Sequence, residues 1–273
     1  MIAVIGGTGL YRFLSGATEE VTVDTPYGPT SAPVTLGEIA GREVAFLPRH
    51  GRNHEYSPHT VPYRANLWAL RRLGATKVLA PCAVGSLDPA AGPGTITVPD
   101  QLVDRTTGAG NGVSGPQGGG RATTFFDGHG VHVSFADPYC PVLRAAAAPG
   151  ADRTSGTMVV IEGPRFSTRA ESRWYAAQGW DLVNMTGLPE AALARELKLC
   201  YASIALVTDL DAGIEAGEGV HTEDVLAQFR ANLPRLTDVL ARTIATVDPA
   251  APCDCARGDH DLPDGLDAGP VRV

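Results

Sequence analysis

No apolar run in this 273-residue chain approaches the ~20 positions that span a bilayer; the longest are strand-length. No block of lysine or arginine offsets a net charge of −8, so neither a membrane nor a nucleic acid is an expected partner. No charged segment precedes Met1-Ile2-Ala3-Val4-Ile5-Gly6, which runs directly into a strand and a glycine turn. A signal peptide is therefore not expected and the cytoplasm is the expected compartment. Cysteine is sparse and odd in number, with five thiols at Cys82, Cys140, Cys200, Cys253 and Cys255. They form no C-x-x-C pair, and no His-x₃₋₅-His partner completes a zinc pattern with them. The first three lie among apolar residues and are expected as buried thiols. Cys253 and Cys255 fall in a polar tail, more open to oxidation. Internal repeats are absent too.

What remains is an ordinary globular composition, 44% hydrophobic and 19% charged, long enough for one domain with a full core. Apolar or β-branched runs at 1–5, 33–39, 43–47, 77–84, 157–161, 180–184 and 200–208 predict strands. Helices are expected over Tyr63–Leu73, Arg169–Gln178, Leu188–Lys198 and Thr222–Val247. Thr168 and Glu171 stand in capping-box spacing, Pro189 sits in a first turn, and Pro234 is expected to kink the longest helix. Strands alternating with helices predict an α/β fold with a covered sheet. Residues 1–247 form the expected domain. Residues 108–120 hold seven glycines and read as a loop; 248–273, rich in Pro, Asp and Gly, read as an irregular, poorly packed tail.

The most informative pair is Asp209 and Asp211, at the end of the buried run 200–208. Residues i and i+2 of an extended segment point the same way, so both carboxylates can face one object and share a proton. One then donates while the other accepts, which suits N7 and the 6-amino group of adenine. A solvated strand end is the plain alternative. Gly6-Gly7-Thr8-Gly9 follows the first strand; its N–H groups and hydroxyl suit an oxyanion. A dinucleotide fingerprint is its rival there, although Arg12 replaces the third glycine. Arg49-His50 ends another strand and suits phosphate. Small residues at Pro81-Cys82-Ala83-Val84-Gly85 and the strand-to-helix turn Asn184-Met185-Thr186-Gly187 add backbone and hydroxyl donors. A structural turn accounts for each of these alone. Together they fall at the carboxyl ends of strands, where open α/β sheets bind ligands.

Longer stretches carry a family resemblance. They are Ile5-Gly6-Gly7-Thr8-Gly9, Arg49-His50-Gly51-Arg52-Asn53-His54, Ala65-Asn66-Leu67-Trp68-Ala69-Leu70 and Val84-Gly85-Ser86-Leu87. Further on stand Asp100-Gln101-Leu102-Val103-Asp104-Arg105-Thr106-Thr107, Gly156–Ser167, Asn184-Met185-Thr186 and Tyr201-Ala202-Ser203-Ile204-Ala205. Over residues 1–246 the chain resembles the trimeric purine nucleoside phosphorylase family, methylthioadenosine phosphorylases included. The resemblance implies a single α/β domain with a mixed central sheet flanked by helices, assembled as a homotrimer. It also implies phosphorolysis, in which inorganic phosphate displaces a purine from C1′ without metal or organic cofactor. For the methylthioadenosine branch, the products are adenine and 5-methylthioribose 1-phosphate.

By motif matching, Thr8, Arg49, His50, Cys82, Ala83 and Thr186 would hold phosphate. Met185 would lie along ribose and base, and Ser167 falls where the family distinguishes substrate classes. Asp209 would protonate N7 and Asp211 would accept from the 6-amino group. His132 resembles a residue that a neighbouring subunit offers to the 5′ side. Two positions depart from the pattern. Cys82 replaces a threonine, leaving a weaker donor, and Gly187 replaces a threonine of many methylthioadenosine phosphorylases, as in some 6-oxopurine enzymes. A 6-oxopurine needs a donor such as Asn at position 209, so the aspartate pair favours adenine. Cys253-Asp254-Cys255 is similar to a Cys-x-Cys of archaeal relatives and reads as an incidental tail pair. A nicotinamide-dependent oxidoreductase and a non-catalytic purine binder are the readings from other classes.

Overall fold

The computed structural model describes residues 1–7, 10, 14–106, 122–128, 130–212, 214 and 219–266. Thr8, the glycine-rich stretch 108–120 and the last seven residues lie outside them. Ten strands form one mixed sheet: β1 (Ile2–Gly6), β2 (Ser15–Val21), β3 (Val34–Ile39), β4 (Arg42–Pro48), β5 (Lys77–Ser86), β6 (Ile96–Thr97), β7 (Gln101–Arg105), β8 (Thr157–Ile161), β9 (Leu182–Asn184) and β10 (Cys200–Leu210). Among the described residues five α-helices accompany them: α1 (Tyr63–Arg72), α2 (Pro141–Ala147), α3 (Arg169–Ala177), α4 (Gly187–Glu196) and α5 (Thr222–Thr246). The main path runs β2-β3-β4-β1-β5-β9-β8-β7. β5 is its hub, parallel to β1 and β10 and antiparallel to β9.

Both faces of the sheet are covered, which is why the central strands read as unbroken apolar runs. In β1, Ala3 and Ile5 pack with α1 and α4 residues such as Leu67, Leu70 and Leu193. Ile2 and Val4 face the other way, with Leu143 of α2 and Phe229, Leu236, Leu240 and Ile244 of α5. The strand period of two thus serves two cores at once. The capping box of α3 forms as its spacing predicts, with Thr168 Oγ1 accepting from Glu171 N at 3.2 Å. α5 runs through Pro234 as one helix.

Four elements were not legible. β2 is short of apolar residues, β6 has two residues, and β7 is a half-exposed edge strand. α2 opens at Pro141, a helix-start signal passed over in the sequence. The tail also differs from its expected loose packing. It is irregular apart from a 3₁₀ turn at Asp254–Ala256, yet it is fastened to the body. Thr76 Oγ1 donates to Pro249 O at 2.8 Å, Lys77 Nζ to Ala251 O at 3.0 Å and Trp68 Nε1 to Asp264 O at 3.3 Å. Cys255 is buried rather than exposed, and it meets Cys140, Cys200 and Cys253. Spacing could not reveal this set because its members come from three separate segments.

Candidate active site

β1, β4, β5, β9 and β10 end around one cavity of about 210 Å³, which the first turns of α5 border. Arg49, His50, Cys82, Ala83, Ser167, Met185, Thr186, Asp209 and Asp211 all line it. Gly7 lines it too, on the turn whose Thr8 lies outside the described residues. His132 does not line it; the residue is exposed on this chain.

Arg49 directly follows β4 and is 2% exposed. Its guanidinium is held on three sides. Nε and Nη2 donate to the two carboxylate oxygens of Glu190, each at 2.8 Å, and Nη2 also donates to Ile5 O at 3.1 Å. Nη1 reaches Pro81 O at 3.3 Å on the side of Gly7. Tyr201 Oη completes the Glu190 shell at 2.8 Å. Burial alone would lower the Arg49 pKa; the facing Glu190 carboxylate reverses this and raises it. The cation is therefore permanent and fixed, as a phosphate site requires. Glu190 was absent from the sequence reading. Its position in the first turn of α4, where an acidic residue is favoured, was the available signal.

His50 is different. Nδ1 lies 2.8 Å from Tyr56 O and the ring stacks on His54 with centroids 4.6 Å apart. Burial and then the neighbouring Arg49 charge push its pKa down to about 4. The neutral imidazole donates from Nδ1–H to Tyr56, so Nε2 is an acceptor. It can take a hydrogen bond from a protonated phosphate oxygen.

The turn at Thr186 supplies less than expected. Asn184 Oδ1 accepts from Thr186 N at 2.8 Å and Gly187 N at 2.7 Å. Leu188 is extended (φ −119°, ψ 139°) and Pro189 has no N–H. The helix start thus presents few free amides; the Thr186 hydroxyl, 3.5 Å from the same Asn184 Oδ1, stands on the cavity wall as a donor. Cys82 Sγ lies 3.4 Å from Ser203 Oγ, and burial pushes its thiol pKa up, so it stays a neutral, weak donor.

At the other end of the cavity, a bulge at Thr208 interrupts the β10–β5 register. Asp209 and Asp211 both converge on Gly85. A Cβ there would stand 3.1 Å from Asp209 Oδ1 and 3.3 Å from Asp211 Oδ1. Thr208 Oγ1 donates to Asp209 Oδ2 at 2.8 Å, and Ser172 Oγ to Asp211 Oδ2 at 2.5 Å. Each carboxyl therefore keeps Oδ1 on the Gly85 side. Burial raises the Asp209 pKa to about 6, against the Thr208 hydrogen bond, with Asp211 adding a smaller push. Burial also raises Asp211, against its serine neighbours. Desolvation rather than mutual repulsion is the main cause, which refines the shared-proton argument. Ser167 Oγ sits close enough to draw Asp211 downward but has no partner at hydrogen-bond geometry. It is a buried hydroxyl on the cavity wall, ready for a ligand.

A fixed cation with hydroxyl donors at one end, and a carboxyl pair with raised pKa values at the other, is the layout of a phosphate-dependent transferase acting on a heterocyclic leaving group. The chain belongs to the phosphorylase superfamily, which it matches over residues 1–245. It is 60% identical over 255 residues to the S-methyl-5′-thioadenosine phosphorylase of Mycolicibacterium smegmatis, covering 93% of both chains. It is also 56% identical over 272 residues to a purine nucleoside phosphorylase of Streptomyces coelicolor, covering 94% of this chain and 92% of the relative. Among solved structures, methylthioadenosine phosphorylase from Schistosoma mansoni in complex with adenine matches with a TM-score of 0.82 and 35% identity. That match covers 89% of this chain and 90% of the other. These matches leave no place for a nicotinamide fold. Gly6 has a packing role instead, since a Cβ there would meet the Phe46 ring at 2.5 Å.

Proposed function

We propose that the chain catalyses phosphorolysis of S-methyl-5′-thioadenosine to adenine and 5-methylthioribose 1-phosphate. The observation that carries this is the carboxyl pair over Gly85: a half-buried Asp209 with its pKa raised to about 6, beside a buried Asp211 oriented by Ser172. Asp209 protonates N7 as the C1′–N9 bond breaks, and Asp211 accepts from the 6-amino group. General-acid help of this kind is worth about 10²–10⁴ in rate. Arg49, His50, the Thr186 hydroxyl and the backbone at Cys82 and Ala83 hold phosphate beneath C1′, with Thr8 joining them from the glycine turn. Positioning of the nucleophile supplies the second contribution. Met185 lies along ribose and base, and Ser167 meets the substrate with its unpartnered hydroxyl. No metal or organic cofactor enters these steps; phosphate is the co-substrate. The enzyme works as a homotrimer in the cytoplasm, each exposed His132 reaching a neighbour's 5′ pocket.

A second reading, phosphorolysis of 6-oxopurine nucleosides or methylthioinosine, draws support from the name of the Streptomyces relative and from Gly187. One experiment separates the two: base release from methylthioadenosine, adenosine, inosine and methylthioinosine, each with and without phosphate. Adenine released from methylthioadenosine only with phosphate is the expected result. Turnover confined to the 6-oxo substrates would transfer the assignment to the second reading, and binding without base release to a non-catalytic one.

A further inference from the structure

Four cysteines that the proposed reaction does not use meet at the opposite end of the sheet. Cys200 opens β10, nine residues before Asp209, about 30 Å away along an extended strand. Cys140 precedes α2, and Cys253 and Cys255 come from the tail. Their four sulfurs all lie within 4.8 Å of one another. Cys253 Sγ is 3.6 Å from both Cys140 Sγ and Cys255 Sγ, and none of the four is in a disulfide. Sulfurs around a tetrahedral zinc, with Zn–S of about 2.3 Å, stand about 3.8 Å apart. Disulfide sulfurs are about 2.05 Å apart and occur in couples; nothing about two couples requires four sulfurs to be mutual neighbours.

Charge points the same way. Lys77 is 1% exposed, and its ammonium reaches Cys200 Sγ at 3.9 Å and the neutral Ala251 carbonyl at 3.0 Å. Arg195 Nη2 lies 4.0 Å from Cys255 Sγ. A buried ammonium needs an opposing charge. Four thiols supply none, whereas a zinc tetrathiolate carries −2 and faces two cations.

We propose that Cys140, Cys200, Cys253 and Cys255 bind one Zn²⁺ in a closed structural site that fastens the tail to the body. Binding displaces the four thiol protons, so affinity rises with pH. With no open coordination position, the site has no catalytic part. Zinc fits better than iron(II), which binds thiolate sites more weakly.

The test uses the full chain, purified in reducing buffer without chelator. Elemental analysis should find about one zinc per chain, as a closed tetrathiolate site holds. The double variant Cys253→Ser/Cys255→Ser should lose the zinc and lower Tm by several degrees, while kcat/KM for phosphorolysis stays within about twofold. Should that variant not fold, chelation of the wild type replaces it: Tm should fall and return with zinc chloride but not magnesium chloride. Replacement by cobalt(II) should give tetrahedral thiolate absorption. A folded, active protein without zinc would overturn the proposal. So would iron in its place, or non-reduced peptide mapping that finds the four cysteines in two disulfides.

Discussion

Arg49 and Glu190, 141 residues apart in sequence, form a two-pronged ion pair with both contacts at 2.8 Å in a site almost closed to water. Glu190 lines no part of the cavity. Its work is to hold the cation that does, and Tyr201 in turn holds Glu190.

The pair makes Glu190 a positioning residue for phosphate. Removing one partner of a buried pair costs about 3–5 kcal/mol, so Glu190→Ala should show that loss in denaturant unfolding. Glu190→Gln keeps the volume and the Tyr201 contact but frees the guanidinium to reorient. Its phosphate KM should rise about tenfold, equivalent to about 1.4 kcal/mol, while the nucleoside KM changes less. An equal rise in both would mean that Glu190 supports the whole cavity and not Arg49 alone.

Asp209 and His50 should make opposite contributions to stability in the same pH window. Asp209 has its pKa raised from 3.8 to about 6, so the native state holds its proton more tightly than the unfolded chain does. Its stabilising effect is complete below pH 4 and disappears as pH climbs to 6. His50 has its pKa lowered from 6.5 to about 4, so its effect is complete above pH 6.5 and disappears as pH falls towards 4. Each displacement is worth about 3 kcal/mol, and the two nearly cancel. Unfolding of the wild type should therefore depend weakly on pH through this pair. In Asp209→Asn the histidine acts alone, and stability should climb by about 3 kcal/mol between pH 4 and 6.5 relative to wild type. His50→Gln should tilt the curve the other way. Parallel curves for all three proteins would show that neither group is displaced as described.

These relationships mark where the sequence was readable and where it was not. Asp209 and Asp211 could be found because a buried strand ends in polar residues at a spacing of two, a local signal. The strand-end locations of Arg49, His50, Ala83 and Thr186 followed from the same logic. Glu190 and Ser172 could not be placed, because each meets its partner only through the fold. Ser172 looked like an ordinary position in α3, yet it donates to Asp211, 39 residues on. The turn at Thr186 looked rich in free amides because nothing local shows that Asn184 folds back over them. The cysteine set was hidden for the same reason, with Cys140 brought to Cys253 across 113 residues.

Gly85 gives a test of the carboxyl pair that leaves both aspartates in place. Its backbone is not in the left-handed region, so Gly85→Ala adds only a methyl group, 3.1 Å from Asp209 Oδ1 and 3.2 Å from Asp211 Cβ. The carboxyls must separate by a few tenths of an ångström. Turnover of methylthioadenosine should fall by about 10- to 100-fold, the scale of a small misplacement of a reacting group, with phosphate KM little altered. Asp209→Asn should likewise depress adenine-nucleoside turnover, because an amide cannot give N7 a proton, but it leaves a permanent donor that a 6-oxo group can accept from, so inosine should gain relative to adenosine. If Asp209→Asn kept the wild-type preference, Asp209 would not be the group that reads the base.

Cys82 offers a change in the direction of improvement. The side chain sits on β5 at the phosphate end, its thiol held neutral by burial and 3.4 Å from Ser203 Oγ. Threonine suits a central strand, and its hydroxyl is a stronger donor than a thiol. A neutral hydrogen bond contributes about 0.5–1.5 kcal/mol, so Cys82→Thr should lower phosphate KM by about 2- to 10-fold with kcat similar. The opposing risk is that the added methyl group disturbs Ser203, which would appear as reduced stability in denaturant unfolding. A variant as stable as the wild type, with phosphate KM unchanged, would show that only the backbone at this position meets phosphate. A lower KM would place the side chain itself on the anion.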